Sequence, residues 1–230
     1  MTQLTVLFED NHIIAINKRC GDIVQGDKTG DKTLGDDVKE YLKEKYKKPG
    51  NVFLGVTHRL DRPTSGAVLF ARTTKALTRL NEMFKEDHEI NKTYWAVVDK
   101  KPETANCHLD HWLVRDAKQN KSFAYLNEKK ESKKASLTYH YLGSSDRFHL
   151  IEIELHTGRH HQIRAQLSAI GLHIKGDLKY GFSRSNADGG IHLHSRKIEF
   201  THPVTGDEIS IVASPPNDPV WNYFVRLIEG

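Results

Sequence analysis

Two periodicities run along this chain, and the places where one gives way to the other divide it into elements. Short apolar runs bounded by turn residues, at 52–56 and 67–71, read as buried strands. Residues 4–8 and 12–17 read as two strands joined through Glu9-Asp10-Asn11. Residues 91–98 form a strand in which Lys92, Tyr94, Ala96 and Val98 share one face. Stretches 107–114 and 135–142 are strands linked by a polar, lysine-rich connection at 118–134, giving a hairpin extension with an exposed turn at 116–121. Residues 148–156 alternate, with His149, Ile151, Ile153 and Leu155 on one side.

The helical period of 3.6 residues appears four times. Residues 34–47, capped by Thr33, place Leu34, Val38, Tyr41 and Leu42 on one face. The lysines at its end, 43–48, suit a helix C-terminus and equally well a solvated or a phosphate-contacting face. Residues 73–85 turn Ala76, Leu77, Leu80, Met83 and Phe84 inward. After the hinge at Gly158, a helix runs to Ile170 with Gly171 as its cap. Its stripe is Ile163, Leu167 and Ile170, with Arg164 on the edge beside His160. Residues 217–228 close the chain as a helix with Pro219 in its first turn.

Composition narrows the class. The 230 residues suffice for a substantial core in one domain, and 37% hydrophobic with 28% charged residues fit a soluble globular protein. A net charge of +4 permits an anionic partner without identifying one. Cys20 and Cys107 are the only cysteines, so neither a disulfide framework nor a zinc ribbon is implied. With no basic leader and no run of about 18 apolar residues, a membrane span is not expected, and the cytoplasm is the default. The repeat Gly26-Asp27-Lys28-Thr29-Gly30-Asp31-Lys32-Thr33 fails the spacing of a phosphate loop, so no nucleotide cofactor is expected.

The chemistry concentrates in the corner between the apolar runs at 52–56 and 67–71. Asp61 sits there between Arg59 and Arg62, and Pro63 and Gly66 punctuate the turn. A buried carboxylate needs a cation or several donors to stay charged. Asp followed by Pro two residues on is also ordinary turn chemistry.

The string His58-Arg59-Leu60-Asp61-Arg62-Pro63-Thr64-Ser65-Gly66 resembles the central motif of the RluA-type pseudouridine synthases. Lys92-Thr93-Tyr94-Trp95-Ala96 and Thr157-Gly158-Arg159-His160-His161-Gln162-Ile163-Arg164 resemble the family's second and third motifs, in order. Leu7-Phe8-Glu9-Asp10 to Asn17-Lys18 is similar to its entry strand pair, with Arg19 where the family often has Pro. Gly176-Asp177-Leu178-Lys179-Tyr180-Gly181 fits a family loop, and Ile191 to Pro203 fits its closing hairpin, turned at Gly206-Asp207.

The resemblance implies an α+β pseudouridine synthase fold, a mixed, largely antiparallel sheet with flanking helices and a central cleft, as a single catalytic domain over 1–230 without an S4 domain. It implies an isomerase acting on rRNA or tRNA stem-loops, with no metal and no cofactor; the sequence does not read out the oligomeric state, and a monomer is the default. Asp61 is then the catalytic nucleophile, Arg164 the cation that keeps it ionised, and Tyr94 the ring packed on the target base. Arg59 fills the space of the flipped uridine or, alternatively, partners Asp61. Leu193 lines the base pocket, and His58, Arg159 and His161 contact RNA.

Two other readings compete. The 14 histidines, His160-His161 and His192-x-His194 among them, suggest a metal hydrolase, but the spacings match no standard signature. A non-catalytic RNA-binding or RNA-folding protein on the same scaffold would not need Asp61, Tyr94 and Arg164 together.

Overall fold

The computed structural model describes residues 4–26, 30–85 and 89–230; positions 27–29 of the repeat at 26–33 lie outside the described residues. In chain order, the first elements are β1 (Val6–Glu9), β2 (Ile13–Lys18), α1 (Leu34–Lys45), β3 (Gly55–Val56), β4 (Ser65–Ala71) and α2 (Thr74–Met83). There follow β5 (Ile90–Val98), β6 (Asn106–Asp116), β7 (Lys121–Tyr125), β8 (Lys133–Ser144), β9 (His149–Leu155) and α3 (Gln162–Ala169). A 3-10 turn at Leu178–Tyr180, β10 (Leu193–Thr201), β11 (Glu208–Val212) and α4 (Pro219–Glu229) complete the chain. The fold class is α+β with mostly antiparallel strands, as expected.

The chain forms two compact units, one from residues 1–90 and 195–214, the other from 91–194 and 215–230. In the first, β4 lies between β2 and β10 and is buried along its whole length. Ala67, Leu69 and Ala71 point to one core with Ile13, Ala15, Ala76, Leu80, Ile198 and Phe200. Helix α1 begins where expected because Thr33 and Asp36 cap each other, Thr33 Oγ1 accepting from Asp36 N and the Asp36 carboxylate accepting from Thr33 N, both at 3.1 Å.

In the second unit the strand order is β5-β9-β8-β6-β7, with antiparallel registers throughout. Helix α4 starts at Pro219, and Asp218 accepts from the N–H groups of Val220 and Trp221. It buries Trp221 and Phe224 against Trp95, Val97 and Leu150. No helix among the described residues is long and apolar enough to cross a membrane.

Four expectations are corrected. The run at 52–56 yields only the two-residue β3, and Phe53 is 44% exposed. The polar connection at 118–134 contains β7, which buries Ser122, a residue with no apolar signature. Helix α3 is buried on nearly every side from Gln162 to Leu167, while Ile170, expected in its stripe, is 38% exposed. The helix expected to follow the Gly158 hinge begins only at Gln162, after His161 in a left-handed conformation with φ of 52°.

Candidate active site

In the first unit, the Asp61 corner is held by its backbone. Thr64 N donates to Asp61 O at 3.0 Å, closing a four-residue turn. Gly21 N donates to Arg62 O at 2.8 Å. Below the turn lies Lys18, only 1% exposed, whose ammonium donates to Thr64 O at 2.7 Å, Arg19 O at 3.0 Å and Arg62 O at 3.1 Å. Three donors thus meet three carbonyls, two of them, Arg62 O and Thr64 O, within three residues of Asp61.

Burial pulls the Lys18 pKa down to about 8, although Asp22, Cys20 and Asp61 favour the cation. Below pH 8 both folded and unfolded chains carry the proton, so the cost of burying the cation is fully present. Between pH 8 and about 10.5 the folded chain releases the proton first, and stability rises with pH. Lys18→Met, which bares those carbonyls, should lose about 1–3 kcal/mol at pH 7. The wild-type advantage should widen between pH 8 and 10, read by denaturant unfolding at both values. A constant gap would show that Lys18 titrates at its ordinary value.

The segment before Asp61 explains the short β3. Its ladder with β4 stops after Val56↔Phe70. From there side chains replace the main chain: Thr57 Oγ1 donates to Leu69 O at 2.6 Å, and His58 Nε2 accepts from Leu69 N at 2.9 Å. The His58 ring also stacks on Phe84, centroids 4.6 Å apart. Through these contacts His58 helps hold the corner. Arg59 is exposed. Arg62, expected beside Asp61, has an ion pair with Asp31 at 3.5 Å.

In the second unit, Tyr94 is buried on β5 opposite Ile153 of β9. Leu193 is buried at the start of β10. The turn into α3 is organised by Gln162, whose Oε1 accepts from Thr157 Oγ1 and Arg159 N at 2.8 and 2.9 Å. Its Nε2 donates to Ser136 O at 3.0 Å. Arg159 itself is exposed and donates from Nε to Lys134 O at 3.0 Å. His161 is buried, and its ring meets the Tyr180 hydroxyl at 3.0 Å and stacks on His160 at 3.8 Å. A left-handed non-glycine residue costs of order 1–3 kcal/mol and persists only where its surroundings fix it.

Arg164, expected at the rim of an apolar stripe, is buried at 5% exposure. Its Nε and Nη2 donate to the two oxygens of Asp177 at 2.6 and 2.8 Å, a bidentate pair. The guanidinium carbon lies 4.9 Å from the centroid of the Tyr180 ring. Asp177, Tyr180 and Lys18 are quoted in the motifs, yet the motif reading gives them no role. The signal for the first two is the pair of glycines around them, since Gly176 and Gly181 both have positive φ. Among the described residues no group of three or more His, Cys, Asp or Glu is arranged to hold a metal. His192 lies instead beside Asn186 and Asp218 and stacks on Trp221.

The family model described as RNA pseudouridylate synthase matches residues 12–169. The ribosomal large subunit pseudouridine synthase D of Zymomonas mobilis is 32% identical over 225 residues, spanning 94% of this chain and 70% of the relative. The tRNA pseudouridine synthase C of Salmonella typhimurium is 31% identical over 236 residues, spanning 95% and 87%. Human RNA pseudouridylate synthase domain containing 4 has the same fold, with a TM-score of 0.79 over 98% of this chain and 93% of that one at 22% identity. The chain therefore belongs to the RNA pseudouridylate synthase family.

Proposed function

We propose that the chain isomerises specific uridines in an rRNA or tRNA stem-loop to pseudouridine, with Asp61 as nucleophile, Arg164 as its counter-ion and Tyr94 packed on the target base. The observation that carries the reading is the backbone-clamped turn at Asp61 within the matched stretch, which also contains Tyr94 and Arg164. A turn fixed through the main-chain groups Arg62 O and Thr64 O gives the Asp61 side chain the rigid placement that a nucleophile requires.

The reaction breaks the N1–C1′ bond, turns the uracil and rejoins it through C5, which replaces a C5 proton. It needs a nucleophile, a proton acceptor and a pocket for the detached base, and no cofactor enters the balance. A uridine in a stem must leave its stack first, at a cost of a few kcal/mol. Exposed Arg59 suits the role of filling the vacated space, and exposed Arg159 suits a phosphate contact. Leu193 lines the base pocket, and His58 and His161 contact the RNA. The protein works as a monomer in the cytoplasm. The relatives named above include one named for ribosomal RNA and one for tRNA, and both substrates enter the test.

The test is a pseudouridine map of rRNA and tRNA from a deletion strain complemented by wild type or by Asp61→Asn. One or more sites should vanish on deletion and return only with wild type. Sites restored by Asp61→Asn would favour a non-catalytic RNA-folding role.

A further inference from the structure

Arg164 lies within a rigid set of groups in the second unit, and the set is asymmetric. A guanidinium has five N–H donors. The Nε–H and one N–H of Nη2 belong to Asp177, so the Asp177 carboxylate occupies one whole edge of the fork. The Tyr180 ring covers one face.

Asp177 is itself over-determined. Its N–H donates to Ile174 O at 3.0 Å, and its carbonyl accepts from Tyr180 N and Phe182 N, both at 3.1 Å. Gly176, with φ of 90°, has no room for a Cβ, which would lie 2.8 Å from Gly190 O and 2.5 Å from the Asn186 amide. The Tyr180 hydroxyl accepts from Ser122 N at 2.8 Å, lies 3.0 Å from His161 Nδ1 and is within 3.2 Å of Ser122 O. Lys121 lies 5.0 Å from the ring centroid, and His160 stacks on His161. The carboxylate is 1% exposed, so water does not compete for the arginine.

We propose that Asp177 is a positioning residue for the isomerisation: it grips the Nε/Nη2 edge of Arg164 against Tyr180 and so fixes the guanidinium in the one orientation from which it acts as counter-ion. The proposal rests on the reading above that Arg164 serves Asp61. An arginine held only by its target could follow the carboxylate as it attacks and leaves. Held along its Nε/Nη2 edge by an immobile carboxylate, it keeps its place through both steps, and the charge on the attacking oxygen changes against a fixed dipole.

The test is a double-mutant cycle on purified full-length enzyme with a cognate RNA under saturating conditions. Asp177→Asn places an amide N–H against the guanidinium, and Asp177→Glu keeps the charge but displaces it by one methylene. Arg164→Lys removes the fork. Each Asp177 variant should lower kcat on the order of 100-fold with KM for RNA nearly unchanged. In the Arg164→Lys background Asp177→Glu should have little further effect. If Arg164→Lys leaves kcat intact, the role of Arg164 is wrong and the proposal falls with it. If Arg164→Lys lowers kcat while folded Asp177→Glu does not, the proposal alone is overturned. Additive losses in the cycle would likewise reduce Asp177 to a structural ion pair. Should Asp177→Asn not fold, Asp177→Glu decides the matter by itself.

Discussion

Asp61→Asn should leave a folded protein that releases no proton from C5 of its target uridine, a loss of at least about 10⁴-fold. The substitution keeps side-chain volume and replaces the charged nucleophile with a neutral amide. Its specificity comes from the clamp on the turn. Lys18 binds Arg62 O and Thr64 O, and Thr64 N binds Asp61 O, so these anchors are main-chain groups that asparagine leaves in place. The measurement is tritium release from RNA labelled at C5 of uridine, beside thermal unfolding of the same preparation. Turnover close to wild type in the variant would remove Asp61 from the chemistry. A large fall in melting temperature would mean that its carboxylate holds the corner together.

The second large effect is on folding. Gly66→Ala should cost about 4 kcal/mol, from backbone strain and overpacking of roughly 1–3 kcal/mol each with the upper ends favoured here. Gly66 has φ of 116°, a conformation for which a Cβ is poorly suited. Its Cβ would lie 2.3 Å from the carbonyl oxygen and 2.5 Å from the nitrogen of Ser195. Both obstacles are backbone, so no rotamer change relieves the clash. Strand β4 would have to separate from β10 or shift along it, and β4 is buried throughout. For a chain of this size the melting temperature should fall by about 10 °C, readable by circular dichroism. A fall of 2 °C or less would mean that the two strands separate at little cost.

How much of this was legible in the sequence depended on distance along the chain. The Asp61 corner was readable because its signals are local: Pro63 and Gly66 mark a turn between apolar runs. The capping of α1 by Thr33 and of α4 around Pro219 was local in the same way. The strand at 52–56 was overread because its apolar residues suggested a ladder, whereas Thr57 and His58 side chains take over the pairing with Leu69. Strand β7 was invisible because its buried residue is Ser122, whose N–H is satisfied by a tyrosine 58 positions away. The partner of Arg164 was hidden for a related reason. Nothing in the helix at 162–169 points to Asp177, and only the loop that returns it beside the helix makes the pair. Along the sequence glycine reads as punctuation, while at Gly66 it answers to a strand that arrives much later in the chain.

That late arrival sets an order of assembly during synthesis. The first unit is built from residues 1–90 and from 195–214, so its sheet lacks β10 and β11 until the ribosome has added roughly 100 further residues. At elongation rates of about 5–20 residues per second the N-terminal portion waits about 5–20 s for its last strands. During that interval one edge of β4 is an open, apolar template of the kind that invites wrong pairing. The Asp61 corner also ends at that edge, in Ser65 and Gly66. A nascent chain therefore completes its Asp61 corner only when most of its length has emerged, and fragments ending before residue 195 should need chaperone protection.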